Sequence, residues 1–230
     1  MRTLYSYPDL FGVADNNPFG LKVYAFLRLH GLEFEHQHVL ETRHAPRGQL
    51  PYLVDGTTTI GDSDAIIAYL DAQCALKVDA RLDSLQRNLE LLVSRALDDL
   101  YWQMSYSRWR DERYWPTFNT ALLERHPEIT AESLVAAREY NRLRYHYQGI
   151  GRYEPDQVYA RGIDNLRVVS DLLGEKPFFF GATPEKIDAA IYGFVANIYF
   201  YEIDTPLKRY VISRAGLVKH CLAVHAKVSS

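Results

Sequence analysis

The chain has 230 residues, 47% of them hydrophobic and 24% charged, with a formal net charge of -3. That is enough chain for two modest domains or one large one, and the mix is that of an ordinary globular protein. The slight negative charge leaves no electrostatic case for nucleic acid or an anionic membrane surface. Leu4 to Tyr7 alternates as a first strand, so no targeting segment is expected at the start. After a loop over 8–16, Pro18 to His30 carries Leu21, Tyr24, Ala25 and Leu29 on one helical face. Asn17 is placed to cap that helix, Pro18 to open it and Gly31 to stop it. Phe34 to Val39 alternates as a second strand. Gly48 to Gly56 (Gly-Gln-Leu-Pro-Tyr-Leu-Val-Asp-Gly) reads as a proline-led strand and a glycine turn, with Thr57 to Ile60 returning as a hairpin. Asp62 and Ser63 then open a helix with Ala65, Ile66, Tyr69 and Leu70 at helical spacing.

After Cys74 the texture changes to helices. Leu82, Leu85, Leu89, Leu92, Ala96, Leu97, Leu100 and Met104 form one long amphipathic stripe. Further helices are expected over roughly Ala131 to Gln148, Pro155 to Leu173, Glu185 to Tyr201 and Leu217 to Val228. A boundary near 76–81 divides the chain into domains 1–76 and 82–230. The most apolar run, Ala189 to Tyr201, is too short to span a bilayer and contains Asn197, so it fits a buried core helix. Cys74 and Cys221 make no CxxC and no metal spacing, which points to a reducing, cytoplasmic setting. His36 and His38 share a strand face without a carboxylate or thiol nearby in sequence, and His220 and His225 fare no better, so no metal is expected.

Two stretches carry chemistry. A proline just before an edge strand leaves main-chain groups free for an extended ligand. Asp62 and Ser63 at a helix start combine free amides, a positive dipole end and a carboxylate, which suits a zwitterionic amino-acid head. Together they resemble the glutathione-binding half of the glutathione S-transferase family, whose signature is Val/Leu-Pro and Glu/Asp-Ser. The segments Leu100-Tyr101-Trp102, Arg108-Trp109, Tyr114-Trp115-Pro116, Gln148 to Arg152 and Asp171 to Phe178 are similar to the family's metaxin and failed-axon-connections branch. The resemblance covers nearly the whole chain. It implies an α/β thioredoxin-like N-terminal domain, an all-α C-terminal domain, a homodimer, glutathione as co-substrate and a small hydrophobic electrophile as second substrate. The reaction would be thiolate attack, or glutathione-dependent reduction of a peroxide or disulfide. A non-catalytic interaction module on the same scaffold is the alternative.

Carried over residue by residue, the resemblance gives Leu50 the backbone bonds to the cysteinyl part, Pro51 a cis bond, and Asp62 with Ser63 the γ-glutamyl head. Gln49 is within reach of the peptide, and Arg43, His44 or Arg47 is to meet the glycine carboxylate. At the position of the family's reactive Ser or Cys, before Pro-Phe, stands Asn17, whose amide donates to a thiolate but is neither nucleophile nor base. Helix capping alone is the other reading of Asn17. Tyr5 and Tyr7 are weaker candidates for the sulfur contact. The second-substrate pocket is expected along the long helix at Tyr101, Trp102, Met104, Tyr106 and Trp109, with Arg108 meeting an anionic substrate. In Thr183 to Ala190 the family's capping box is altered by Glu185, so Thr183 is a candidate cap and Asp188 a structural residue.

Overall fold

Strand β1 (Arg2–Ser6) buries Leu4 and Ser6 and is paired along both edges, so it sits inside the sheet. The computed structural model describes residues 1–229. Helix α1 (Pro18–Leu29) carries the chain to β2 (Glu35–His38), which lies parallel to β1. Strand β3 (Tyr52–Asp55) runs antiparallel to the other edge of β1, and β4 (Thr58–Gly61) closes a four-stranded sheet of order β2-β1-β3-β4. Helix α2 (Ser63–Cys74) packs beside α1, burying Ile66, Ile67 and Leu70. This is the β-α-β-β-β-α order of a thioredoxin-like unit. Asn17 caps α1 and Pro18 begins it, as the sequence pattern predicts, and Gly31 follows at φ 62°.

The rest of the described chain is helical. Helix α3 (Ser84–Trp109) is 26 residues long and opens on an Asp83–Gln86 capping box. Then come α4 (Trp115–Arg125), α5 (Ala131–Gln148), α6 (Pro155–Leu173), α7 (Lys186–Tyr199), α8 (Pro206–Ile212) and α9 (Ala215–Val228). Every residue of α7 from Ile187 to Ile198 is buried. Gly193 lets α7 approach α1 closely: a Cβ there would lie 2.5 Å from the Pro18 carbonyl oxygen. Each fully buried Leu, Ile or Phe along this seam contributes about 1.5–3 kcal/mol, so the two halves of the fold are joined by core. No helix among the described residues is long and apolar enough to cross a membrane.

Two points differ from the sequence analysis, while the structural role of Asp188 stands. Helices α4 and α8 escape the sequence analysis; α8 has only seven residues, and α4 buries little beyond Trp115, Phe118 and Leu122. The start of α7 is capped at Glu185, whose N–H donates to Asp188 Oδ2 (2.8 Å). Thr183 instead accepts from Arg81 (3.2 Å). Asp188 is structural, accepting also from the Phe179 N–H (2.7 Å) and meeting His220 Nε2 (2.8 Å).

Candidate functional site

Two hollows flank the start of α1: Asn17 and Pro18 line one and Phe19 the other. The first is a groove of about 250 Å³ between the lead into β3, the start of α2 and α3. Gln49, Leu50, Pro51, Asp62, Ser63 and Arg47 all line it. The Leu50–Pro51 bond is cis. Leu50 lies before the paired register of β3 and enters no other main-chain hydrogen bond among the described residues, so its N–H and C=O are open to a ligand. At the far end, Asp62 Oδ1 caps α2 by accepting from Asp64 and Ala65 N–H (3.1 Å each), while Oδ2 lies 3.7 Å from Arg47. Asp62 (φ 81°) and Arg47 (φ 62°) both have a positive φ, a costly backbone for non-glycine residues.

Ser63 is buried on the groove floor, its Oγ 3.4 Å from Lys22 Nζ, and the same ammonium pairs with Asp64. From α3, Arg95 and Asp98 (2.8 Å apart) close the wall; burial pushes the Asp98 carboxyl above its ordinary range, against the hydrogen bond from Arg95. Charges of both signs at close quarters suit a zwitterion. Lys22, Arg95 and Asp98 were missed by sequence reasoning, although Arg95 and Asp98 stand at i, i+3 on the polar side of the long stripe. His44 is exposed and lines neither hollow, and Arg43 is paired with Glu41, so of the three candidate cations only Arg47 reaches the groove.

The second hollow, about 260 Å³, lies between the 7–18 loop and helices α3, α4 and α5. Tyr7, Asn17, Tyr101, Met104, Arg108 and Trp109 line it. Trp102 and Tyr106 do not. Tyr101, Met104 and Arg108 recur every three or four residues and share one face of α3, whereas Trp102 and Tyr106 are turned about 100° further round. Trp102 packs edge-on to Tyr145 (5.6 Å between centroids), and Tyr106 packs on Tyr145 and Tyr159 (5.8 and 6.0 Å). Tyr5 stacks on Tyr52 (4.5 Å) in the sheet. Tyr7 lines the cavity, and burial pushes its phenol up, so it keeps its proton.

Asn17 is the helix cap and keeps a donor to spare. Its Oδ1 accepts from the Phe19 N–H (3.0 Å), which is the cap, and its Nδ2 has no partner among the described residues. The loop that presents it is pinned on every side. Arg108, buried on α3, donates to the Asn16 carbonyl and to the carbonyl and Oδ1 of Asn197 (3.0 Å each), while Asn197 Nδ2 donates to the Asp15 carbonyl (3.2 Å). Arg108 therefore holds main chain with these donors while also lining the cavity.

Asp15 is fully buried, and Oδ1 accepts the Asn17 N–H at 2.6 Å. Gly20 makes room for it: a Cβ there would sit 1.6 Å from Asp15 Oδ2. Burial pushes the Asp15 pKa up to about 8, against the Asn17 N–H that lowers it. A carboxyl raised in the folded state holds its proton there more tightly than in the unfolded chain. Its contribution is therefore fully present below about pH 4 and is lost as pH rises towards about 8. Asp15→Asn keeps the acceptor for Asn17 and removes the titration. Melting temperatures at about pH 5 and about pH 9 should fall for the wild type and stay nearly level for the variant; parallel declines would remove Asp15 as the cause.

A thioredoxin-like unit offering free main chain and mixed charge, set against helices that wall a second cavity, has the architecture of the cytosolic glutathione transferases. Residues 18–114 match the glutathione S-transferase N-terminal domain family and residues 162–224 the glutathione S-transferase C-terminal domain family. The chain is 33% identical over 208 residues to the isoprene-epoxide–glutathione S-transferase of Rhodococcus sp. (strain AD45), covering 86% of this chain and 87% of that one. It is 28% identical over 221 residues to Failed axon connections of Drosophila melanogaster, covering 89% of this chain but only 52% of that longer protein. Among solved structures, the beta-etherase LigF of Sphingobium sp. strain SYK-6 superimposes with a TM-score of 0.70 at 15% identity, covering 99% of this chain and 98% of the other. A family member from Pseudomonas fluorescens pf-5, crystallised with two glutathione bound, gives 0.61 at 15% identity, covering 99% and 92%. The chain belongs to the glutathione S-transferase family.

Proposed function

We propose that the protein binds glutathione in the groove and joins its thiolate to a small apolar electrophile held in the cavity. The observation that carries this reading is the unpartnered Nδ2 of Asn17 in the cavity wall, two residues along the chain from Phe19 on the groove. Leu50 supplies main chain to the cysteinyl part, Asp62 and Ser63 take the γ-glutamyl head, and Arg47 faces the glycine carboxylate. A free thiol has a pKa near ~8.5, and each unit by which a site lowers it is worth about 1.4 kcal/mol. Donation from Asn17 Nδ2 and the positive end of α1 both act in that direction. The sulfur attacks carbon, the carbon–leaving-group bond breaks, and the leaving atom keeps the electron pair. An epoxide, the class named for the Rhodococcus relative, is the first electrophile to try. The same reading has two domains, 1–76 and 82–230, in a cytoplasmic homodimer.

Asn17 provides the test. Asn17→Ala is expected to raise the pKa of bound glutathione and slow conjugation of isoprene epoxide. Asn17→Ser restores a donor at the helix start and is expected to keep both near wild type. Ultraviolet absorption of the thiolate against pH reads the pKa directly. Three equal values, with the alanine variant only less stable by ~0.5–2 kcal/mol, would leave Asn17 a cap alone and favour a non-catalytic protein.

A further inference from the structure

The two hollows differ in charge. The groove mixes carboxylates with cations, whereas the cavity is lined by two arginines, Arg108 and Arg144, and by no Asp or Glu. The donors of Arg108 that bond at all are taken up by carbonyl and amide oxygens, which leave its positive charge uncancelled. Burial pushes the carboxyl of Asp15, an electrostatic neighbour of Arg108, up towards its neutral form, which weakens it as a counterion.

Arg144 is the more telling residue. Helix α5 carries three arginines. Two of them have carboxylates: Arg138 pairs with Glu112 (2.7 Å) and Arg142 with Glu139 (2.7 Å). Arg144, half-buried in the cavity wall, has none among the described residues. Its guanidinium lies over the Trp102 ring (5.2 Å) and the Tyr140 ring (5.9 Å), and one N–H donates to Asn141 Oδ1 (3.0 Å). Stacking, that hydrogen bond and one to the Tyr101 hydroxyl fix the plane of the fork, and the five N–H groups of a guanidinium still leave donors for a ligand. The hydroxyls of Tyr7, Tyr101 and Tyr140 lie around it, near enough to couple electrostatically. Met104, Leu122, Ile129 and Leu134 give the wall its apolar share, beside the uncharged Thr42, Ser105 and Ser133. A partly desolvated cation without a counterion is costly, and an incoming anion removes that cost.

We infer that the second substrate is an apolar molecule bearing a carboxylate, which Arg144 receives in the cavity while the electrophilic carbon faces Asn17. This rests on the cavity being the second-substrate site proposed above, and it adds the charge that the substrate carries. A guanidinium paired to a carboxylate fixes orientation as well as affinity, so Arg144 sets which end of the substrate meets the sulfur.

The test compares hexanoate with hexanamide, two unreactive probes of like size, by calorimetric titration of the wild type, Arg144→Gln and Arg144→Lys. Hexanoate is expected to bind the wild type about tenfold or more tightly than hexanamide. The preference should vanish in Arg144→Gln, survive in part in Arg144→Lys, and leave hexanamide affinity unchanged throughout. Equal binding of the two probes by the wild type, or a preference that survives Arg144→Gln, overturns the inference. So does a raised pKa of bound glutathione in Arg144→Gln, which would make Arg144 a thiolate residue instead. The wild-type comparison decides even where a variant does not fold. Failure of glutathione to bind would sink the transferase reading while hexanoate selectivity stood; the reverse pattern would sink the carboxylate alone.

Discussion

Replacing Ser63 by Ala is expected to weaken glutathione binding by about 1.5–3 kcal/mol, roughly ten- to a hundredfold in Kd. The hydroxyl is buried on the groove floor beside Lys22, so a ligand carboxylate arriving there exchanges water for a charge-assisted bond in a partly desolvated place. The loss should be confined to binding. Lys22 keeps its pairing with Asp64 and the Asp62 cap is untouched, so the melting temperature should move little. Calorimetric titration of both proteins with glutathione gives the comparison, and an unchanged Kd would take Ser63 out of the site.

Arg108→Leu should be the most damaging single change to stability, at about 3–5 kcal/mol. It removes the donors that satisfy the Asn16 carbonyl and both oxygens of Asn197, and each buried acceptor left bare costs about 1–3 kcal/mol. It also frees the loop that carries Asn17, so a glutathione thiol bound to surviving folded protein should titrate higher. Urea midpoints and the ultraviolet thiolate titration measure the two effects separately. A loss below about 1 kcal/mol would mean that the loop is held by other contacts.

The thioredoxin-like unit was legible because its signals are local. Asn17-Pro18, the proline-led strand and Asp62-Ser63 each state a backbone conformation within a few residues, and all three stand where the pattern put them. The groove followed from the same residues. The cavity was harder to read, because its walls come from helices far apart in sequence and the choice between neighbours such as Tyr101 and Trp102 is a matter of helix rotation. Stripe periodicity gave α3 but not which of its aromatic residues faces the first domain. Arg108 shows the limit most clearly. Its charge suggested a ligand, yet its burial and its contacts with Asn16 and Asn197, 92 and 89 residues away, make it a latch across the fold. Arg144 sits in a basic run, Arg142-Leu143-Arg144, that reads as a solvated face until Arg142 is seen paired and Arg144 turned inward.

The proposal of glutathione in the groove with its sulfur at Asn17 is tested most directly by a crystal of this protein soaked in glutathione. The expected difference density is an extended peptide, its γ-glutamyl end at Asp62 and Ser63 and its cysteinyl part bonded to the Leu50 main chain. The sulfur should lie within hydrogen-bonding distance of Asn17 Nδ2 and face the cavity. An empty groove at saturating glutathione, or a sulfur directed away from Asn17, would contradict it.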